Sequence, residues 1–84
     1  MSAMESLPNV GKVLANNLRG VGIDTPEQLR AIGAKEAFRR IRAAVDPGAC
    51  LHMLYGLQGA VEGIRDTLLA PETKEDLQSF FSGL

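Results

Sequence analysis

Cysteine and histidine are almost missing from this chain: Cys50 and His52 are the only residues of either type among 84. A single thiol closes no internal disulfide, the staple that small secreted domains commonly need, so a cytoplasmic setting is expected. One Cys and one His make neither a conventional zinc cluster nor a Cys/His nucleophile pair, and two positions apart on one helix they would not face each other. Cys50 is expected to be a small buried apolar residue, and His52 a half-exposed packing or hydrogen-bonding one. No run approaches the ~20 apolar residues of a membrane span, so no membrane partner is expected. The opening MSAMESLPNV lacks a basic start followed by an apolar stretch, and no signal peptide is expected. P-loop, Rossmann glycine fingerprint and nucleophile elbow are all absent, as are linkers, low-complexity segments and tandem repeats. The expectation is a protein that is not an enzyme, with no cofactor and no metal.

What is present suffices for one domain spanning 1–84, since domains run from about 50 to 250 residues. The apolar share of 45% argues against wholesale disorder. Net charge is −1, but the halves differ. Residues 1–45 hold seven cations (Lys12, Arg19, Arg30, Lys35, Arg39, Arg40, Arg42) against four carboxylates, which gives +3. Residues 46–84 hold Arg65 and Lys74 against six, which gives −4. Such asymmetry can orient a protein on a polyanion, though it falls short of the basicity of a dedicated DNA binder.

Glycine, proline and apolar spacing divide the chain into about five short helices. Leu7-Pro8-Asn9-Val10-Gly11 is a turn signal, followed by a helix over Lys12–Arg19 with Val13, Leu14 and Leu18 at helical spacing. Gly20 and Gly22 stop it in the manner of a left-handed cap. Thr25-Pro26-Glu27-Gln28 reads as a capping box with proline at the first helical position. The short helix after it should bury Leu29 and Ile32 and end at Gly33. A third helix, Ala34 to Val45, turns Ala37, Phe38 and Ile41 inward and Arg39, Arg40 and Arg42 mostly outward, and Asp46-Pro47-Gly48 breaks it. The fourth and longest spans Ala49 to Leu68, with Cys50, Leu54, Leu57, Val61, Ile64 and Leu68 as one stripe. Gly56, Gly59 and Gly63, with Ala60, give it a small-residue patch, which fits either close backbone approach by a neighbouring helix within the monomer or a homodimer seam. Pro71 opens a last helix whose apolar face, Leu77, Phe80 and Phe81, should dock back on the fourth. The fold class is therefore all-α, a helix-hairpin-helix-like N-terminal unit followed by a C-terminal helical hairpin.

One constellation carries a mechanism. In the stretch from Leu7 to Ala15 a tight turn with glycine runs straight into a helix, which aims free backbone amides outward. Those amides and the positive end of the helix dipole can hold a phosphate without reading a base. Asn9, Val10, Gly11, Lys12, Val13 and Arg19 are the candidate DNA-binding residues, with Arg39, Arg40 and Arg42 as a second group that would extend the contact, and an RNA phosphate is the other polyanion such a turn would take. Asn9 stands where a helix-hairpin-helix usually has its first glycine; it tolerates the left-handed region better than most residues. A hairpin that merely connects packed helices is the structural alternative. A protein-interaction module without nucleic-acid binding, homodimeric or with another partner, on the glycine face or the Phe80/Phe81 end, is the functional one.

Over nearly its whole length the chain resembles the C-terminal domain of the bacterial TfoX competence-regulator family. The similarity lies in Leu7-Pro8-Asn9-Val10-Gly11, Gly22-Ile23-Asp24-Thr25, Ile32-Gly33-Ala34 with Ala37-Phe38, Cys50-Leu51-His52-Met53-Leu54-Tyr55-Gly56-Leu57 with Gly59-Ala60, and Gly63-Ile64. The resemblance implies an all-α domain and co-activation of transcription in natural competence, with or without direct DNA contact. Where the family has asparagine this chain has His52, and it lacks the tryptophan often found soon after Ile64, so no role passes to His52 or Asp66. Full-length members also carry an N-terminal domain that has no counterpart in these 84 residues.

Overall fold

A computed structural model describes residues 3–84, and among them it contains five α-helices, two 3-10 turns and no strand. The helices are α1 (Lys12–Gly20), α2 (Pro26–Ile32), α3 (Ala34–Ala44), α4 (Leu51–Glu62) and α5 (Pro71–Ser82). The limb before the hairpin is a single 3-10 turn, Ala3–Ser6, rather than a helix.

Local chemistry accounts for most boundaries. α1 ends in a Schellman motif: the Ile23 and Gly22 amides donate to the Leu18 and Arg19 carbonyls (2.9 and 3.0 Å), and Ile23 and Leu18 are both fully buried. At the start of α2 the Thr25 hydroxyl accepts from the Gln28 amide (3.1 Å), and the Gln28 side chain accepts from the Thr25 amide (3.2 Å), completing the capping box. Gly33 ends α2 and opens α3 at φ 87 and ψ 159, a region essentially reserved for glycine. After α3, Asp46 turns the chain, its carboxylate accepting from the Gly48 amide at 3.0 Å.

α4 is the spine, packed against α2, α3, α5 and the second 3-10 turn, Asp66–Leu68. Leu54 and Leu57 are fully buried with Phe38, Ile41, Leu18, Ile23, Leu29 and Met4, while Leu77 brings α5 onto the same core. Each such side chain is worth about 1.5–3 kcal/mol of burial. Phe81 of α5 also meets Phe38 of α3, with ring centres 5.9 Å apart and tilted by 57°.

Three expectations are corrected. The fourth helix stops at Glu62, six residues before Leu68, because Gly63 adopts φ 79 and the Ile64 and Gly63 amides donate to the Gly59 and Ala60 carbonyls in a second Schellman motif. The stripe consequently breaks: Ile64 is half-buried, Leu68 is 69% exposed, and Leu69 takes the core position. Cys50 precedes the first helical residue and is exposed, not buried. Val13, read with the apolar positions of α1, is 74% exposed.

Candidate phosphate-binding groove

The hairpin is built from the turn outward. The Val10 amide donates to the Leu7 carbonyl (3.3 Å), with Pro8 and Asn9 as the central residues and Asn9 at φ 67. Proline followed by a residue of positive φ is the signature of a type II turn. Val10 plugs into the core, and Gly11, Lys12 and Val13 stand exposed. The first intrahelical bond belongs to the Ala15 amide, which donates to Gly11 at 3.0 Å. The Gly11, Lys12, Val13 and Leu14 amides therefore have no acceptor among the described residues, and no side chain caps α1.

The residues that carry these amides line a groove of about 680 Å³ whose walls come from three parts of the chain. One wall is Gly11, Lys12, Val13 and Leu14, the second is Cys50, His52 and Met53 at the start of α4, and the third is Arg65, Asp66 and Thr67. α4 too lacks a side-chain cap, and residues of the first turns of both helices line the one cleft. Lys12 and Arg65 have no ion-pair partner among the described residues. The Asp66 carboxylate is the one anion in the lining, and it lies 3.6 Å from His52 Nε2, whose side chain is 83% exposed.

Asn9 joins the floor. Its Nδ2 donates to the Gly56 carbonyl (3.3 Å) and the Ile64 carbonyl (3.0 Å), while its Oδ1 accepts from the Asp66 amide (3.1 Å). The glycines make room. Gly56 and Gly59 are buried, and a Cβ on Gly59 would clash with Asn9 Nδ2 and lie 2.7 Å from the Ile64 carbonyl. The small-residue patch is intramolecular at these two glycines, but what approaches is not a neighbouring helix: it is the Asn9 turn and the loop after Gly63, which fill the space over them from within the chain.

The sequence-derived candidates thus separate. Asn9 and Val10 face inward and build the site. Gly11, Lys12 and Val13 line its open side. Arg19 lies at the other end of α1, outside the groove, with its guanidinium bonded to Asn16. The α3 arginines are elsewhere as well. Arg39 and Arg40 hold the Glu36 carboxylate through close hydrogen bonds, which lower its pKa from 4.5 to about 2. Arg42 stacks over Phe81, and Lys35 pairs with Asp76 at 2.6 Å beside Phe80, which occupies the Phe80/Phe81 end within the monomer. The sequence pattern does not single out Arg65, because a fourth helix running on to Leu68 carries it as one more helical position. Gly63 was the available signal.

Fold and groove together define a helix-hairpin-helix-like, all-α domain with an open cleft beside the first turn of α1. The family model of the TfoX C-terminal domain matches residues 1–81, and the chain belongs to that family. Two crystal structures of Listeria monocytogenes proteins, one described as uncharacterized (triclinic form) and one as of unknown function (tetragonal form), are similar to it. The first has a TM-score of 0.93 at 44% identity, covering 95% of this chain and 90% of that one. The second has a TM-score of 0.90 at 44% identity, covering 94% and 96%. No curated protein matches the chain. No helix among the described residues is long and apolar enough to cross a membrane.

Proposed function

We propose that this domain is a non-enzymatic regulatory module that grips the sugar-phosphate backbone of DNA in the groove, independently of base sequence, in cytoplasmic regulation of transcription and competence. The observation that carries the reading is the juxtaposition of four unpaired α1 amides with Lys12 and Arg65, opposite a second uncapped helix start. A phosphate oxygen there would accept from fixed N–H donors, and the two cations would compensate its charge. Family membership supports the regulatory setting. The test is a titration of labelled duplex at several salt concentrations. Two neutralised phosphates give a log-log slope of about −1.8, at about −0.9 each. Lys12→Glu should abolish binding, and no binding by the wild type at low salt would end the proposal.

A protein-interaction module, homodimeric or with another partner, is the second reading, and the 74% exposure of Val13 on the groove rim favours it. This reading involves no nucleic acid: Val13→Lys should release the partner, and neither the wild type nor the variant should bind duplex even at low salt. The phosphate reading expects that substitution to strengthen duplex binding.

A further inference from the structure

We propose that Asn9 is the positioning residue of this groove: its carboxamide holds the Arg65–Asp66 wall at the distance from Lys12 at which one polyanion reaches both cations. The inference rests on the phosphate reading and deepens it. Asn9 has two separable properties, a positive φ and a side chain. The turn uses the first, and glycine would supply it more freely. The side chain does nothing for the turn, because its three bonds reach Gly56, Ile64 and Asp66, 47 to 57 residues along the chain. Partner chemistry fixes its orientation, with two carbonyls on the Nδ2 side and one amide on the Oδ1 side. Gly59 supports the same view: a helix interior disfavours glycine, yet any Cβ here would strike Asn9 Nδ2 and the Ile64 carbonyl. Asn9, Gly56 and Asp66 all line the groove, with Lys12 three residues beyond Asn9 on one side and Arg65 beside Asp66 on the other. Without the carboxamide, the loop after Gly63 would keep its covalent ends but lose its tie to the hairpin.

Asn9→Gly keeps the turn and deletes the tie. The variant should retain its far-UV helical signal, exchange the Asp66 amide hydrogen at least tenfold faster, and bind duplex at least fivefold more weakly. Its salt slope should fall from about −1.8 to about −0.9, as Lys12 is left to act alone. Arg65→Gln should show the same slope, and Asn9→Gly added to it should cost nothing further in binding, because the two act through one contact. Gly59→Ala attacks the same tie from the α4 side and serves if Asn9→Gly fails to fold. Unchanged slope and unchanged Asp66 exchange would overturn the proposal, and so would a full additive loss in the Arg65→Gln background, the mark of general destabilisation. A wild type that binds no duplex defeats the phosphate reading instead. The exchange measurement, read with the amide shift of Lys12 in Asn9→Gly, then still decides whether the tie sets the wall.

Discussion

At the scale of single residues, Gly56 and Gly59 lie one turn apart on α4, yet the space around them differs. A Cβ on Gly56 would meet the Asn9 Cβ at 3.5 Å, an ordinary contact, whereas one on Gly59 would lie 2.7 Å from the Ile64 carbonyl oxygen, a backbone atom that cannot rotate away. Alanine improves a helix interior by up to about 1 kcal/mol over glycine. Gly56→Ala should therefore be neutral or stabilising by up to about that amount. Gly59→Ala should lose about 1–3 kcal/mol, because overpacking outweighs propensity. Urea unfolding midpoints of the two variants check the contrast, and equal shifts would refute the account of the Asn9 seam.

At the scale of elements, α2 and α3 depend on polar groups at their ends and surfaces. α2 has only seven residues, too few to persist without help, and its capping box satisfies the amides of Thr25 and Gln28. Thr25→Ala should cost about 1 kcal/mol (range 0.5–2) in thermal or urea unfolding, and Thr25→Ser much less. On α3, Glu36 gathers Arg39 and then Arg40, and these bonds depress its pKa to about 2. A depressed carboxylate stabilises the fold above its unfolded value of 4.5 and loses that contribution as pH falls through about 2. Wild-type stability should accordingly drop between pH 4.5 and 2 more than that of Glu36→Gln, by an amount that salt reduces because the pairs face water. Parallel pH profiles of the two proteins at low ionic strength would contradict it.

At the scale of the whole molecule, the opposite charges of the two halves are partly spent inside the fold. Lys35 of the basic half meets Asp76 of the acidic half, and α5 lies over α3 through Phe81 and Phe38. The cations left facing the hairpin groove are Lys12 and Arg65, one from each half of the chain. Few phosphates can be neutralised there, so affinity should be modest and its salt dependence shallow. Arg39→Gln and Arg40→Gln, outside the groove, should leave the slope of duplex binding unchanged; a steeper wild-type slope that fell with these substitutions would move the interface to α3. Under the phosphate reading light scattering should return a particle of 9.0 kDa, the glycine seam being occupied internally.

Much of this architecture was decided by neighbours in sequence. Pro8 with Asn9, Thr25 with Gln28, Gly33, Pro47 and Pro71 act within a few residues, through φ restriction and capping, and these local cues place the turns and helix starts within one or two residues of where they lie. The end of α4 was a different matter. Gly56, Gly59 and Gly63 look alike in a sequence, and whether a helix passes through a glycine or stops at it depends on what packs nearby. Here a turn some fifty residues upstream sends a carboxamide onto Gly56, Ile64 and Asp66, and the chain bends at Gly63 to meet it. That bend moved Leu68 to the surface, seated Leu69 in the core and carried Arg65 to the groove. The residues alone specified a hairpin running into a helix; only the packed fold, by satisfying the polar edge of Asn9 with distant backbone, supplied the opposite wall of the site.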